Sequence, residues 1–204
     1  MLNKPLKVGV TGGIGAGKSL VCRIFSILGI PVYDADSRAK ALMVQDRNVV
    51  EAIKSHFGDQ AYLADGNLNR PYLANHVFQS KHRLKIINEI VHPIVALDFE
   101  KWSKIHENKP YLIKEAALMI ESGSYKQLDY LIAVTAPVDI RIARVLARDP
   151  HRTEKNINEI ISSQLSDEEN IDKSQFTIIN DNHSLLIPKA LKIHEFLISS
   201  VQTG

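Results

Sequence analysis

With one cysteine, Cys22, the chain can form no intramolecular disulfide, and a lone thiol fits a reducing compartment such as the cytosol. No apolar run approaches the ~18 residues of a membrane span. The start, MLNKPLKVGV, is too short and too weakly apolar for a secretory signal. Surplus charge is also scarce. The formal net charge is +2, which leaves no broad basic field for nucleic acid or a membrane surface. Repeats, low-complexity tracts and Gly/Ser/Pro-rich linkers are missing. What remains is ordinary globular material: 204 residues, 45% hydrophobic and 24% charged, long enough for one domain with insertions.

Short apolar runs alternate with helical patterns. Lys7–Thr11 (KVGVT) reads as a buried strand, and Lys18–Leu28 as a helix with Val21, Ile24, Phe25 and Leu28 on one face, ended by Gly29. Further strands are expected at Pro31–Tyr33, Tyr111–Ile113, Tyr130–Thr135 and Phe176–Ile179. Helices are expected at Val138–Arg148 and Thr153–Gln164, with a closing helix kinked or delayed by Pro188. Residues 37–102 read as mainly helical, with Pro93 in the first turn of a new helix. Alternating strands and helices predict an α/β fold with a parallel sheet covered on both faces. The helical stretch after the second strand is too long for a simple crossover and reads as an inserted subdomain.

The strongest motif is Gly12-Gly13-Ile14-Gly15-Ala16-Gly17-Lys18-Ser19. It fits G-x-x-x-x-G-K-[ST] and lies between a predicted strand and a predicted helix, the context that gives the motif meaning. Glycines let backbone N–H groups turn inward around a phosphate, and the following helix N-terminus favours an anion. Lys18 then reaches the β- and γ-phosphates, and Ser19 offers a hydroxyl to Mg²⁺. The guanine-reading N-K-x-D is absent, since Asn108-Lys109 runs into Pro110-Tyr111, and no D-x-x-G follows a strand. Both absences disfavour a GTPase switch. An ATP-dependent phosphotransferase is the expectation.

Asp34 and Asp36 follow the second strand, at the sheet edge where ligands gather. A carboxylate there accepts a proton from an acceptor hydroxyl, or it caps the helix beginning near Ser37; spacing does not separate the two roles. Arg141, Arg144 and Arg148 share one helix face, which is either a phosphate-facing stripe or a solvated surface. His92 either packs against Pro93 or contacts substrate, and packing is the expectation, since one histidine without partners in sequence is poor evidence of a site. Trp102, Tyr33 and Phe78 read as core, the basic Lys81-His82-Arg83…Lys85 as a solvated face, and Cys22 as packing.

Taken in order, GVTGGIGAGKS, LGIPVYDAD, DGNLNR…VF (Asp65–Phe78), His92-Pro93-Ile94, Ala117–Glu121 and Arg144…Arg148-Asp149 resemble the dephospho-CoA kinase family, with Gln164 and Asn180 at its later Gln and Asn positions. The resemblance implies a P-loop kinase that phosphorylates the ribose 3′-hydroxyl of dephospho-CoA with ATP and Mg²⁺. It implies one domain over 1–204: a core at about 1–35, 107–147 and 169–204, a helical CoA-side subdomain at about 36–106, and a lid at about 148–168. Asp36 would be the general base, with Lys18 and Arg148 as its catalytic companions. Gly13, Ile14, Gly15, Ala16, Gly17, Lys18, Ser19 and Leu20, with Arg144 and Asn180, would hold the nucleotide, and Ser19 the metal. Leu20 stands where the family commonly has Thr. Lys114-Glu115 stands at a strand end that commonly carries Asp, so a metal contact there would fall to Glu115. A cytoplasmic enzyme acting on a small molecule follows, with neither nucleic acid nor membrane as partner.

Overall fold

The structure, a computed structural model, describes residues 4–78 and 80–202, and the side chains of Phe78 and Lys81 lie outside the description. In chain order the elements are β1 (Leu6–Thr11), α1 (Lys18–Ile27), β2 (Val32–Asp34), α2 (Ala35–Gln45), α3 (Arg47–Phe57), α4 (Arg70–Phe78), α5 (Lys81–Ile105), β3 (Tyr111–Glu115), β4 (Tyr130–Thr135), α6 (Val138–Arg148), α7 (Glu154–Ser163), α8 (Asp167–Asp172), β5 (Phe176–Ile179) and α9 (Leu186–Gln202). They form two compact units. The first holds the residues up to Asp34 and those from His106 onward; the second is Ala35–Ile105.

The first unit is built on a five-stranded parallel sheet of order β2-β3-β1-β4-β5. Its strands read as apolar runs because both faces are covered. On one face, Val8, Val10, Tyr111, Ile113, Ile132, Val134 and Ile178 meet Val21, Cys22 and Phe25 of α1 and Ala190, Ile193 and Leu197 of α9. On the other, β1 runs so close to its cover that a Cβ on Gly9 would lie 2.5 Å from Met119 Sδ and 2.7 Å from Leu128. The expected α/β fold with a covered parallel sheet is therefore what forms. β3 runs two residues beyond the expected Ile113, and its register sets Glu115 beside both Val10 and Asp34. The carboxyl ends of all five strands thus share one edge, the edge at which an open parallel sheet takes ligands.

Pro188 lies within the first turn of α9, where a missing N–H costs no helical bond. Pro93 behaves differently from the expectation: it lies inside the 25-residue α5 instead of starting a helix. A proline there removes the bond to the carbonyl of Glu89. The helix persists because Ile87, Val91, Val95 and Phe99 are buried on a continuous stripe through the proline. Within this second unit, Arg38 grips Asp98 through two bonds of 2.9 and 2.7 Å, joining α2 to α5. His92 is exposed on α5, contrary to the packed reading, and His82, Arg83 and Lys85 are exposed as a solvated face.

Candidate active site

β1 ends in Thr11, and the chain then passes through the glycine-rich loop into α1. Gly17 is the N-cap of α1 at φ +94°, a left-handed conformation that few side chains tolerate, and it supplies no side-chain acceptor to the first turn. Leu20 N–H donates to Gly17 O at 3.1 Å, and the helix start carries the positive end of the helix dipole, which favours an anion. Gly13 is required for space: a Cβ on it would fall 2.0 Å from Arg141 Nη2. Lys18 Nζ donates to Gly12 O at 2.8 Å and to Gly13 O at 3.4 Å, so the ammonium bridges the start of the loop.

A pocket of about 450 Å³ opens against this loop, lined by Gly15, Gly17, Lys18, Ser19, Leu20, Arg144, Val145, Arg148, Asn180 and Asn182. Four separate stretches of the first unit meet there: the P-loop, the first turn of α1, one face of α6 and the residues after β5. Leu20 is 51% exposed along this lining.

The three arginines of α6 turn out to do three different things. Arg141 is 4% exposed; its Nε donates to Ile14 O at 2.9 Å and its Nη1 meets Asp167 at 3.3 Å, so it is neither a solvated residue nor a pocket-facing one. Arg144 reaches across to neutral acceptors only: Gly15 O at 3.5 Å, Asn180 Oδ1 at 3.1 Å and Asn182 Oδ1. Its charge is therefore held in place without being cancelled. Arg148, at the end of α6, is exposed, lines the pocket, and makes no hydrogen bond or ion pair among the described residues. Arg152, in the loop after α6, is engaged by Asp149 at 2.7 Å.

Asn180 is buried and donates to Ala16 O at 2.9 Å while accepting from Arg144. Asn182 completes this arrangement from a left-handed backbone at φ 68°. Sequence reasoning passed over Asn182; its signal is the Asp181-Asn182 pair, residue types that tolerate that conformation and form local turns. Asp181 accepts from the N–H groups of His183 at 3.1 Å and Ser184 at 2.7 Å, and these bonds hold its carboxyl down at about 2.

Ser19 Oγ donates to Glu115 Oε1 at 2.8 Å. The pair is all-oxygen and close to the P-loop, which suits a hard cation bound by few protein ligands plus phosphate oxygens. Among the described residues no cluster of three or more His, Cys, Asp or Glu side chains exists to form an all-protein metal cage. Cys22 lies behind this pair in the core. Burial, and then the Glu115 carboxylate, push its thiol up, so it packs as a protonated side chain. Asp36 is exposed in the first turn of α2, in the second unit. It lies within the helix and not ahead of it, so it is not the N-cap residue.

Within the loop, Ile14 N–H donates to Gln164 Oε1 at 2.8 Å, 150 residues away in sequence. Gly13, Gly15, Ala16, Gly17, Lys18 and Ser19 form the rest of the loop.

A glycine-rich loop capped by Lys18 and Ser19 at the carboxyl edge of a parallel sheet, with a pocket holding unneutralised arginines, defines a P-loop phosphotransferase. The family model for dephospho-CoA kinase matches residues 6–185. A dephospho-CoA kinase from Bacteroides fragilis (strain YCH46) is 35% identical over 196 residues, covering 96% of this chain and 95% of its own. Among solved structures, a Thermus thermophilus protein superimposes with a TM-score of 0.83 at 30% identity, covering 95% of this chain and 98% of its own. A dephospho-CoA kinase from Campylobacter jejuni does so with 0.69 at 26%, with the same coverage. The chain belongs to the dephospho-CoA kinase family.

Proposed function

We propose that this protein transfers the γ-phosphoryl group of ATP to the ribose 3′-hydroxyl of dephospho-CoA, giving coenzyme A and ADP. The observation that carries the reading is the convergence of Lys18, Ser19, Arg144, Arg148 and Asn180 on one 450 Å³ pocket at the P-loop, in a chain whose family is established.

The roles follow from charge. Phosphoryl transfer needs alignment and neutralisation more than covalent chemistry. The amides of the loop and of the first turn of α1 hold the phosphate chain, and Lys18 exchanges its bonds to Gly12 O and Gly13 O for phosphate oxygens. Arg144 keeps its full charge toward the pocket because only neutral oxygens grip it. Arg148 enters the transition state from the end of α6. Ser19 Oγ and the Glu115 carboxylate would hold Mg²⁺, which neutralises charge across the β- and γ-oxygens when bound. Asp36 accepts the proton of the attacking 3′-hydroxyl. In this reading residues 36–106 form the acceptor-side subdomain and 148–168 a lid over the nucleotide, while the core comprises about 1–35, 107–147 and 169–204. The enzyme is cytoplasmic and its substrate is a small molecule. The lone buried thiol supports this, as does the fact that no helix among the described residues is long and apolar enough to cross a membrane.

The test is an acceptor panel. Purified protein with ATP and Mg²⁺ is offered dephospho-CoA, AMP, dCMP and adenosine separately, and products are read by mass spectrometry. One added phosphoryl group on dephospho-CoA alone is expected. Preferential phosphorylation of another acceptor would replace this reading with that of a different P-loop kinase.

A further inference from the structure

We propose that Arg141 and Gln164 are positioning residues for the nucleotide site, gripping the C=O and the N–H of Ile14 so that the P-loop is shaped before ATP arrives. Gln164 Oε1 accepts from Ile14 N–H at 2.8 Å, and Arg141 Nε donates to Ile14 O at 2.9 Å. Both backbone polar groups of one loop residue are thus taken by side chains from distant parts of the chain.

The grip is itself anchored. Gln164 follows the last residue of α7, and Asp167 opens α8. Between them, Leu165 N–H donates to Glu121 Oε1 at 3.2 Å, and Asp167 meets Arg141 at 3.3 Å. Three of four consecutive residues are therefore tied to the core around the loop, which makes 164–167 the anchored end of the 148–168 segment. The absence of a side chain at Gly13 is what lets the Arg141 guanidinium lie flush under the loop.

Charge separates this role from that of the other two arginines. Asp167 meets the charge of Arg141, and the guanidinium is 4% exposed and does not line the pocket. Arg144 and Arg148 line it. Arg141 therefore acts through the loop and not on phosphate. The Ile14 amide, already donating to Gln164, is likewise structural. A loop fixed in its binding shape loses less conformational freedom on binding, and the gain appears as affinity. Each grip is a single hydrogen bond, and losing one such net interaction weakens binding by about 3- to 10-fold.

The inference rests on reading the loop as an ATP site, and not on dephospho-CoA being the acceptor. It is tested with Gln164→Leu, which removes the acceptor, and Arg141→Lys, which keeps the charge but loses the planar fork. Four quantities are measured on the full chain: the Kd of ATP with Mg²⁺ by calorimetry, KM for ATP and kcat with dephospho-CoA, the melting temperature, and hydrogen exchange of the peptide spanning Gly12–Ser19. The expected result is a Kd and a KM raised about 3- to 10-fold, with kcat at saturating ATP little changed. Exchange in the loop should be faster in the free variants and return to the parental rate once ATP is bound. Unchanged ATP affinity would overturn the proposal, whether or not the melting temperature falls, because a purely structural role predicts that pattern. If Arg141→Lys fails to fold, Gln164→Leu decides alone, since its side chain is only half-buried. If the parent binds ATP but leaves dephospho-CoA unmodified, the acceptor assignment has failed, and the affinity and exchange results still decide the positioning role.

Discussion

Replacing Gly17 with alanine tests how tightly the loop, Asn180 and Arg144 are coupled. Two costs are written into the structure. The backbone at φ +94° disfavours any side chain, at about 1–2 kcal/mol for an L-residue held left-handed. The added Cβ would also lie 2.1 Å from Asn180 Nδ2, and Asn180 is buried, so it must shift. Shifting it strains the bond to Ala16 O at 2.9 Å and the one from Arg144 at 3.1 Å, each worth about 0.5–1.5 kcal/mol net. The sum is about 2–5 kcal/mol. At roughly 2–4 °C per kcal/mol for a chain of this size, melting falls by about 4–20 °C. ATP affinity should fall with it, because Arg144 loses an acceptor that holds it over the pocket. Differential scanning calorimetry with and without ATP and Mg²⁺ reads both effects. A Gly17→Ala protein that melts with the parent and binds ATP equally would show that Asn180 yields freely, and that the coupling does not exist.

Lys18→Ala should abolish transfer while the circular dichroism spectrum stays parental, since the ammonium bonds loop carbonyls and lines the pocket; near-normal turnover would refute the loop assignment. Asp36→Asn should lower kcat by about 10²–10⁴-fold with ATP Kd unchanged, the range of general-base assistance; a fully active variant would remove Asp36 from the mechanism. Arg148→Ala and Arg148→Lys should both lose kcat far more than ATP affinity, by up to ~10³-fold or more, as an arginine that acts on the transition state does; parental turnover in both would make it a surface residue. Asp181 titrates at about 2 when folded, below its ordinary value of 3.8. Its depressed value means that its stabilisation of the loop after β5 is present above about pH 4 and is lost as pH falls through about 2. Side-chain NMR titration checks this, and an inflection near 4 would contradict it.

Legibility in the sequence tracked the range of the interactions involved. The strand, glycine loop and helix of the P-loop are specified by adjacent residues, and so are β4, α6 and β5, whose apolar runs are short and sharply bounded. Pro93 misled because a local rule, that proline starts a helix, lost to a buried stripe on both sides of it. α8 went unpredicted because its six residues, DEENID, carry almost no apolar periodicity; capping at Ser166 by Glu169 defines it instead. Periodicity set Arg141, Arg144 and Arg148 on one face but gave no hint that burial would divide them into a support, a bridge and a pocket-facing charge. Nothing local joins Gln164 to Ile14, and Asn182 becomes meaningful only once β5 brings it beside Arg144.

The most direct measurement is the position of the phosphate on the product. Dephospho-CoA is incubated with the protein, ATP and Mg²⁺, and the product is examined by mass spectrometry and phosphorus NMR with through-bond correlation to the ribose. The account predicts one new phosphomonoester, coupled to the 3′ proton, with ADP formed in equal amount. ATP hydrolysed with dephospho-CoA left unmodified, or a phosphate on any other oxygen, would contradict it.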